Sequence, residues 1–232
     1  MGSERRSALT CAEWQFLDIG RPLKLEILPG CWYFALPNAL AQDKFQPDIS
    51  IYPMNATKLD ISARSSVFKT PWFELIGKKI GDDAALHYSI RTHDYVSILA
   101  VTNSDSFPLV RQFRPAVEQV TLELPCGHVD EGETPAQAAA RELREETGFI
   151  AKELVLLGSF SPDTGRLSNK LWCFFAPTVT PAKEKFVPPI GIEPMIYDRP
   201  LQNLIVDEPA FSSALNRATI LMAVAQGRIK LQ

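Results

Sequence analysis

The segment from Gly127 to Phe149, GHVDEGETPAQAAARELREETGF, constrains this 232-residue chain more than any other stretch. Thr134, Pro135 and Gln137 read as an N-cap, a proline at the first helical position and a capping-box partner, so a helix is expected to begin there. Gly148 supplies the residue best able to take the left-handed conformation that ends a helix, which places the element at about 135–147. At ~100° per residue, Glu142 and Glu146 fall within about 40° of each other and about 6 Å apart along the axis, with Glu145 beside them. The opposite face reads Ala138, Ala139 and Leu143, small apolar residues suited to close packing on a sheet.

Three carboxylates on one face repel one another, and they sit in the last turn, where the helix dipole disfavours anions. A hard divalent cation, Mg²⁺ or Mn²⁺, would offset that repulsion, and a pyrophosphate would complete its shell. Arg141, next to Glu142 and four residues before Glu145, is spaced to hold a carboxylate in position. The loop from Gly127 to Gly132, with two glycines and two acids, suits close approach of backbone to metal and phosphate. The plain alternative is a solvated acidic helix face.

The full spacing decides between these readings. Gly, five residues, Glu, seven residues, Arg-Glu, an aliphatic, one residue, Glu-Glu, one residue, Gly and an apolar residue is the Nudix hydrolase signature, and no fixed position is missing. The resemblance implies a main-chain carbonyl ligand at Cys126, metal-binding roles for Glu142, Glu145 and Glu146, and a loop braced by Glu133. It also implies an α/β fold, an α/β/α sandwich with a mixed β-sheet. Strand-like runs at 72–75, 87–91, 95–101, 108–113, 119–124, 154–160 and 171–176, with a second long helix at about 211–226, agree with that architecture. In 119–124, Val120, Leu122 and Leu124 alternate against Thr121 and Glu123 as a half-buried strand would.

Outside the signature, VRQFRPAVEQVTLELPCGHVDEGE and SPDTGRLSN resemble the ADP-ribose and ADP-sugar pyrophosphatase branch, over about residues 70–230. That resemblance implies hydrolysis of ADP-ribose to AMP and ribose 5-phosphate. It implies a homodimer built on N-terminal strands at 66–105, with Trp72 and Tyr88 stacking on adenine. Arg114, with Arg111 on the same strand, is the candidate grip on phosphate, since a guanidinium fork matches phosphate oxygens. The loop at 162–169 is expected to cover the terminal sugar. The catalytic base is expected at Glu193 on a later loop, with Glu184 in reserve and Glu145 serving in some family members; Pro194 departs from the family pattern. Other sugar nucleotides or nucleoside triphosphates, or a silent nucleotide-sensor module, are the competing functions.

Composition narrows the partners. A hydrophobic fraction of 46%, a charged fraction of 22% and a net charge of −3 describe an ordinary globular protein without the basic stripe of a nucleic-acid binder. Cys11, Cys31, Cys126 and Cys173 show no CxxC spacing, so reduced thiols and a cytoplasmic location are expected. No run approaches 18 apolar residues, so no membrane partner is expected. Residues 1–65 have no sustained period and are read as an N-terminal extension before a Nudix domain at 66–232.

Overall fold

The computed structural model describes residues 59–231 apart from 82 and 84, so the expectations for residues 1–58 lie outside the described residues. Along the chain, β1 (Ile61–Lys69), β2 (Phe73–Ile80) and β3 (Leu86–Thr92) form an antiparallel three-stranded sheet. Then β4 (Tyr95–Thr102), β5 (Phe107–Arg114), β6 (Gln119–Glu123) and β7 (Cys126–His128) lead into α1 (Pro135–Thr147). After it come β8 (Phe149–Ala151), β9 (Val155–Phe160), β10 (Leu171–Pro181), β11 (Ile192–Tyr197), α2 (Leu201–Val206) and α3 (Ala214–Ala225).

The central sheet is mixed. β4 and β10 run parallel, β7 pairs antiparallel with the free edge of β4, and β8 and β9 pair antiparallel with β10. The crossover between β4 and β10 contains α1, as a parallel pair requires. Val96 to Val101 are all buried, because β4 is covered on both faces. Val96, Ile98 and Ala100 pack with Ala138, Ala139 and Leu143 of α1. Leu99 and Val101 pack on the other side with Phe211 and with Ile220 and Ala223 of α3. The result is the expected α/β/α sandwich.

A third sheet has β5 at its centre, between β11 and β6. Glu193, expected on a loop, therefore lies on an edge strand, β11. Pro194 is compatible with it because an edge strand has one side free of ladder bonds. The last helix is shorter than 211–226, since Ser213 caps it by accepting from the Asn216 N–H and Phe211 is buried ahead of it.

β1 has no apolar alternation in its sequence and is exposed along its whole length. It pairs across the expected 65/66 boundary, with Ser65 opposite Gly77 and Ser66 opposite Ile76. The described residues belong to one compact unit that begins at Thr57. Among the described residues, no helix is long and apolar enough to cross a membrane.

Candidate active site

The acidic helix is fixed at both ends by its own sequence. The Thr134 hydroxyl accepts from the Gln137 N–H, and the Gln137 side chain accepts from the Thr134 N–H. At the other end Gly148, with φ of 72°, donates its N–H to the Arg144 carbonyl. A side chain at Gly148 would also meet the Phe186 ring, at 2.6 Å.

Between these caps, Glu142 and Glu146 turn toward the start of the loop. The Glu146 carboxylate accepts the Cys126 backbone N–H at 2.9 Å. The Glu142 carboxylate lies directly against Gly127, where any Cβ would collide with it. Both acids line a cleft of about 600 Å³ together with Arg114, Glu123, Cys126, Gly127 and Asp130. Glu145 is not part of that lining; its side chain is 53% exposed and faces Arg141 at 3.3 Å.

Arg141 ties helix and loop together. Its Nε and Nη2 donate to the two oxygens of Glu133 at 3.0 and 2.9 Å, and Nη2 donates to the His128 carbonyl at 2.9 Å. Its Nη1 donates to Glu142 at 2.7 Å and to Glu145 at 3.3 Å. These bonds match the five N–H donors of a guanidinium, so Arg141 is a positioning group with no donor left over. The fork holds Glu133 below the usual carboxylate range.

The two cleft acids are shifted the other way. Burial pushes Glu146 up to about 8, with the Cys126 N–H opposing and the Glu142 charge adding to the shift. Burial also raises Glu142, against the pull of Arg141. Burial is the leading cause of both shifts, and neighbouring carboxylates add to it against the pull of Arg141 on Glu142 and of Arg114 on Glu146. Among the described residues, no three side chains of His, Cys, Asp or Glu converge to hold a cation by themselves. A hard cation here would draw the rest of its oxygen shell from main chain, water and substrate.

Arg114 stands at the same cleft on a support that sequence reading missed. Its Nε and Nη2 clasp Glu123 at 2.8 and 2.6 Å, and the Thr121 hydroxyl donates to the same carboxylate at 2.6 Å. The expected alternation on this strand is corrected: Val120 is exposed, whereas Thr121, Leu122, Glu123 and Leu124 are all buried. Glu123 tolerates burial because a guanidinium, a hydroxyl and the Cys126 thiol surround it. Leaving its Nη1 free of Glu123, Arg114 keeps a pair of donors for an anion.

The other expected residues lie elsewhere. Arg111 is exposed, three residues from Arg114 and therefore on the opposite face of β5, and it is paired in register with Glu193 of β11. Glu193 sits on that strand and not on a loop. Glu184 stays on a loop, where Arg144 donates to it at 3.2 Å. Trp72 is 69% exposed in the β1–β2 connection, and Tyr88 is 50% exposed on β3; neither lines the cleft. The 162–169 segment is tied to β3, with Arg166 accepting from the Ile90 N–H at 2.7 Å and Ser168 donating back to Ile90 at 3.0 Å.

Residues 91–190 match the family model described as the NUDIX domain. The chain is 37% identical over 90 residues to the ADP-ribose pyrophosphatase of Bacillus subtilis, a match covering 39% of this chain and 49% of that protein. It is 30% identical over 132 residues to the ADP compounds hydrolase NudE of Escherichia coli, covering 54% of this chain and 69% of that one. A solved structure titled as an ADP compounds hydrolase superposes with a TM-score of 0.61 at 23% identity, over 74% of this chain and 97% of its own, a likeness of fold. The match thus spans about half the length of the Bacillus protein and over two thirds of the E. coli one.

Proposed function

The chain belongs to the Nudix family, and from that premise we propose that it hydrolyses the pyrophosphate bond of a nucleoside diphosphate joined to a second group. ADP-ribose or an ADP-sugar is the substrate, and AMP and a sugar phosphate are the products. One observation carries the reading: Glu146, buried, and Glu142, half-buried, both lie against the Cys126–Gly127 backbone, in the cleft that also holds Arg114.

Glu142, Glu146 and the Cys126 carbonyl are the groups that would hold Mg²⁺ or Mn²⁺, with Glu145 at the rim. Burial that raises both Glu142 and Glu146 above the usual carboxylate range fits such a cation, because desolvated acids gain most from one. When bound, the metal neutralises the diphosphate and acidifies the attacking water. Arg114 grips a phosphate oxygen through its free Nη1 and is kept aligned by Glu123. Gly127 lets the substrate approach the main chain.

Water attacks one phosphorus, the bridging P–O bond breaks, and the water's proton passes to a carboxylate. Glu193 is paired in register with Arg111 on its strand and does not line the cleft. Glu184 lies outside that cleft as well, bonded to Arg144, but its loop lines a groove that also contains Arg141 and Glu145 of α1, and on that ground we take it as the acceptor ahead of Glu193. A homodimer accords with the exposed apolar surface of the first sheet, where Trp72 and Tyr88 would stack on adenine. A cytoplasmic location accords with the free thiols of Cys126 and Cys173.

Chromatography of products from ADP-ribose, ADP-glucose, GDP-mannose, diadenosine polyphosphates and oxidised dNTPs tests the assignment. Mg²⁺-dependent AMP release from the ADP-sugars, lost in Glu146→Gln, is expected. Equal cleavage across the panel would sink the ADP-sugar assignment, and tight ADP-ribose binding without turnover would favour a sensor. In the same assay Glu184→Gln should lower kcat by about 10²–10⁴-fold, the usual contribution of a general base.

A further inference from the structure

The first turn of α3 also borders the cleft, and the hydrolysis described above gives it no task. Ser213, Leu215 and Asn216 line the same space as Glu142, Glu146 and Arg114. They arrive from the other layer of the sandwich, since α1 covers one face of β4 and α3 the opposite one. Asn216 is 3% exposed, and its Oδ1 accepts the Leu124 N–H at 2.6 Å. That bond fixes the orientation of the amide, because a backbone N–H can be met only by the oxygen. The Nδ2 donor is left without an acceptor among the described residues, on a residue that lines the cleft. A buried amide with an unused donor is costly until a group from outside meets it.

The backbone around Asn216 is in the same condition. Ser213 caps the helix with its hydroxyl and its carbonyl, which accept the N–H groups of Asn216 and Arg217. The N–H groups of Ala214 and Leu215 meet no acceptor among the described residues, as is usual at the open end of a helix. No acid stands in the first turn of this twelve-residue helix, and Arg217 adds a cation whose Nε is buried and unpartnered. Helix dipole and arginine thus sum to a positive potential that no acid of the turn offsets. The acids of the cleft stand elsewhere, Glu142 and Glu146 on α1, Asp130 on the loop, and Glu123 in the grip of Arg114. Leu124 follows Glu123 directly, so the end of β6 holds both Arg114 and Asn216 at the cleft.

Free N–H groups at a helix start, an unused amide donor and a guanidinium in one cleft match the oxygens of a phosphate. We propose that one phosphate of the substrate lies between Arg114 and the first turn of α3, its oxygens accepting from Asn216 Nδ2 and from the Ala214 and Leu215 N–H groups, while the other phosphate faces the acids of α1. This rests on the diphosphate hydrolase reading and deepens it, because both layers of the sandwich, and not the acidic helix alone, then hold the diphosphate.

The probe is the α,β-methylene analogue of ADP-ribose, which keeps both phosphates but has no bridging oxygen to cleave; calorimetry with Mg²⁺ present gives its Kd. Asn216→Asp keeps the oxygen that the Leu124 N–H needs and replaces the donor by an acceptor, so Kd should rise about tenfold to a hundredfold, as for the loss of a hydrogen bond to a charged group. Ala214→Pro removes one N–H at the helical position that best accepts proline, behind a residue whose ψ of 118° already suits it. It should raise Kd about three- to tenfold. Binding of Mn²⁺ alone, which reports on the α1 acids and the Cys126 backbone, should be unchanged in both variants. Weaker binding of the analogue in either folded variant, with Mn²⁺ binding retained, supports the subsite. An unchanged Kd in both would overturn it, and so would a parallel loss of Mn²⁺ binding, since Asn216 would then only prop the strand. An unmutated protein that neither binds the analogue nor releases AMP from ADP-ribose would instead overturn the hydrolase reading and leave the subsite without a substrate.

Discussion

At the scale of single residues, the pair Arg114–Glu123 is the most informative feature of the cleft. Glu123 is 6% exposed and Arg114 41% exposed, so removing the acid leaves a cation that water can still reach. Glu123→Ala should therefore cost less than a fully buried pair would, about 1–2 kcal/mol, read as a fall in melting temperature of roughly 2–8 °C. Burial works against the Glu123 charge, but the bonds from Arg114 and Thr121 outweigh it and hold the acid below its ordinary value of 4.5. A depressed carboxylate contributes stability above its unfolded value and loses it as pH falls through the folded one. The gap in melting temperature between the unmutated protein and Glu123→Ala should accordingly close as the pH is lowered from neutrality through 4.5 and below. A gap that widened in acid would contradict the arrangement described. The sequence could not show Glu123 as buried, because a charged residue on an alternating strand reads as the solvent side; only Arg114, nine residues earlier across a turn, neutralises it.

At the scale of elements, legibility follows how local the determinants are. α1 could be read to the residue because Thr134, Pro135, Gln137 and Gly148 set its ends by contacts within four positions. β11 could not, because Pro194 argues against a strand until β5 is known to lie on only one side of it. β1 could not either, since all nine of its residues are exposed and its partner is β2. Replacing Gly148 by Ala tests the local account. The positive φ and the Phe186 ring both oppose a Cβ, so a loss of about 1–3 kcal/mol is expected in a chemical unfolding curve. A neutral or stabilising effect would mean that the helix ends elsewhere in solution.

At the scale of the whole molecule, the first sheet presents Val67, Phe68, Trp72, Phe73 and Tyr88 to the outside, with the Phe68 and Phe73 rings 6.2 Å apart. Contiguous apolar surface of this kind marks a site of association. Sedimentation equilibrium should return twice the chain mass of 25.9 kDa, and Val67→Asp combined with Phe68→Asp should return the single mass. A monomer at micromolar concentration without mutation would remove the dimer from consideration.

The knot around Arg141 bears on how such a protein changes over time. A guanidinium whose hydrogen bonds all go to His128, Glu133, Glu142 and Glu145 braces the loop and the acidic face of α1 from within. The reaction can then be inherited as a sealed cartridge while the rims around it drift. Libraries that vary Trp72 and Tyr88 should yield new preferences among diphosphates far more often than inactive clones, whereas libraries confined to Glu133, Arg141, Glu142 and Glu146 should yield the reverse.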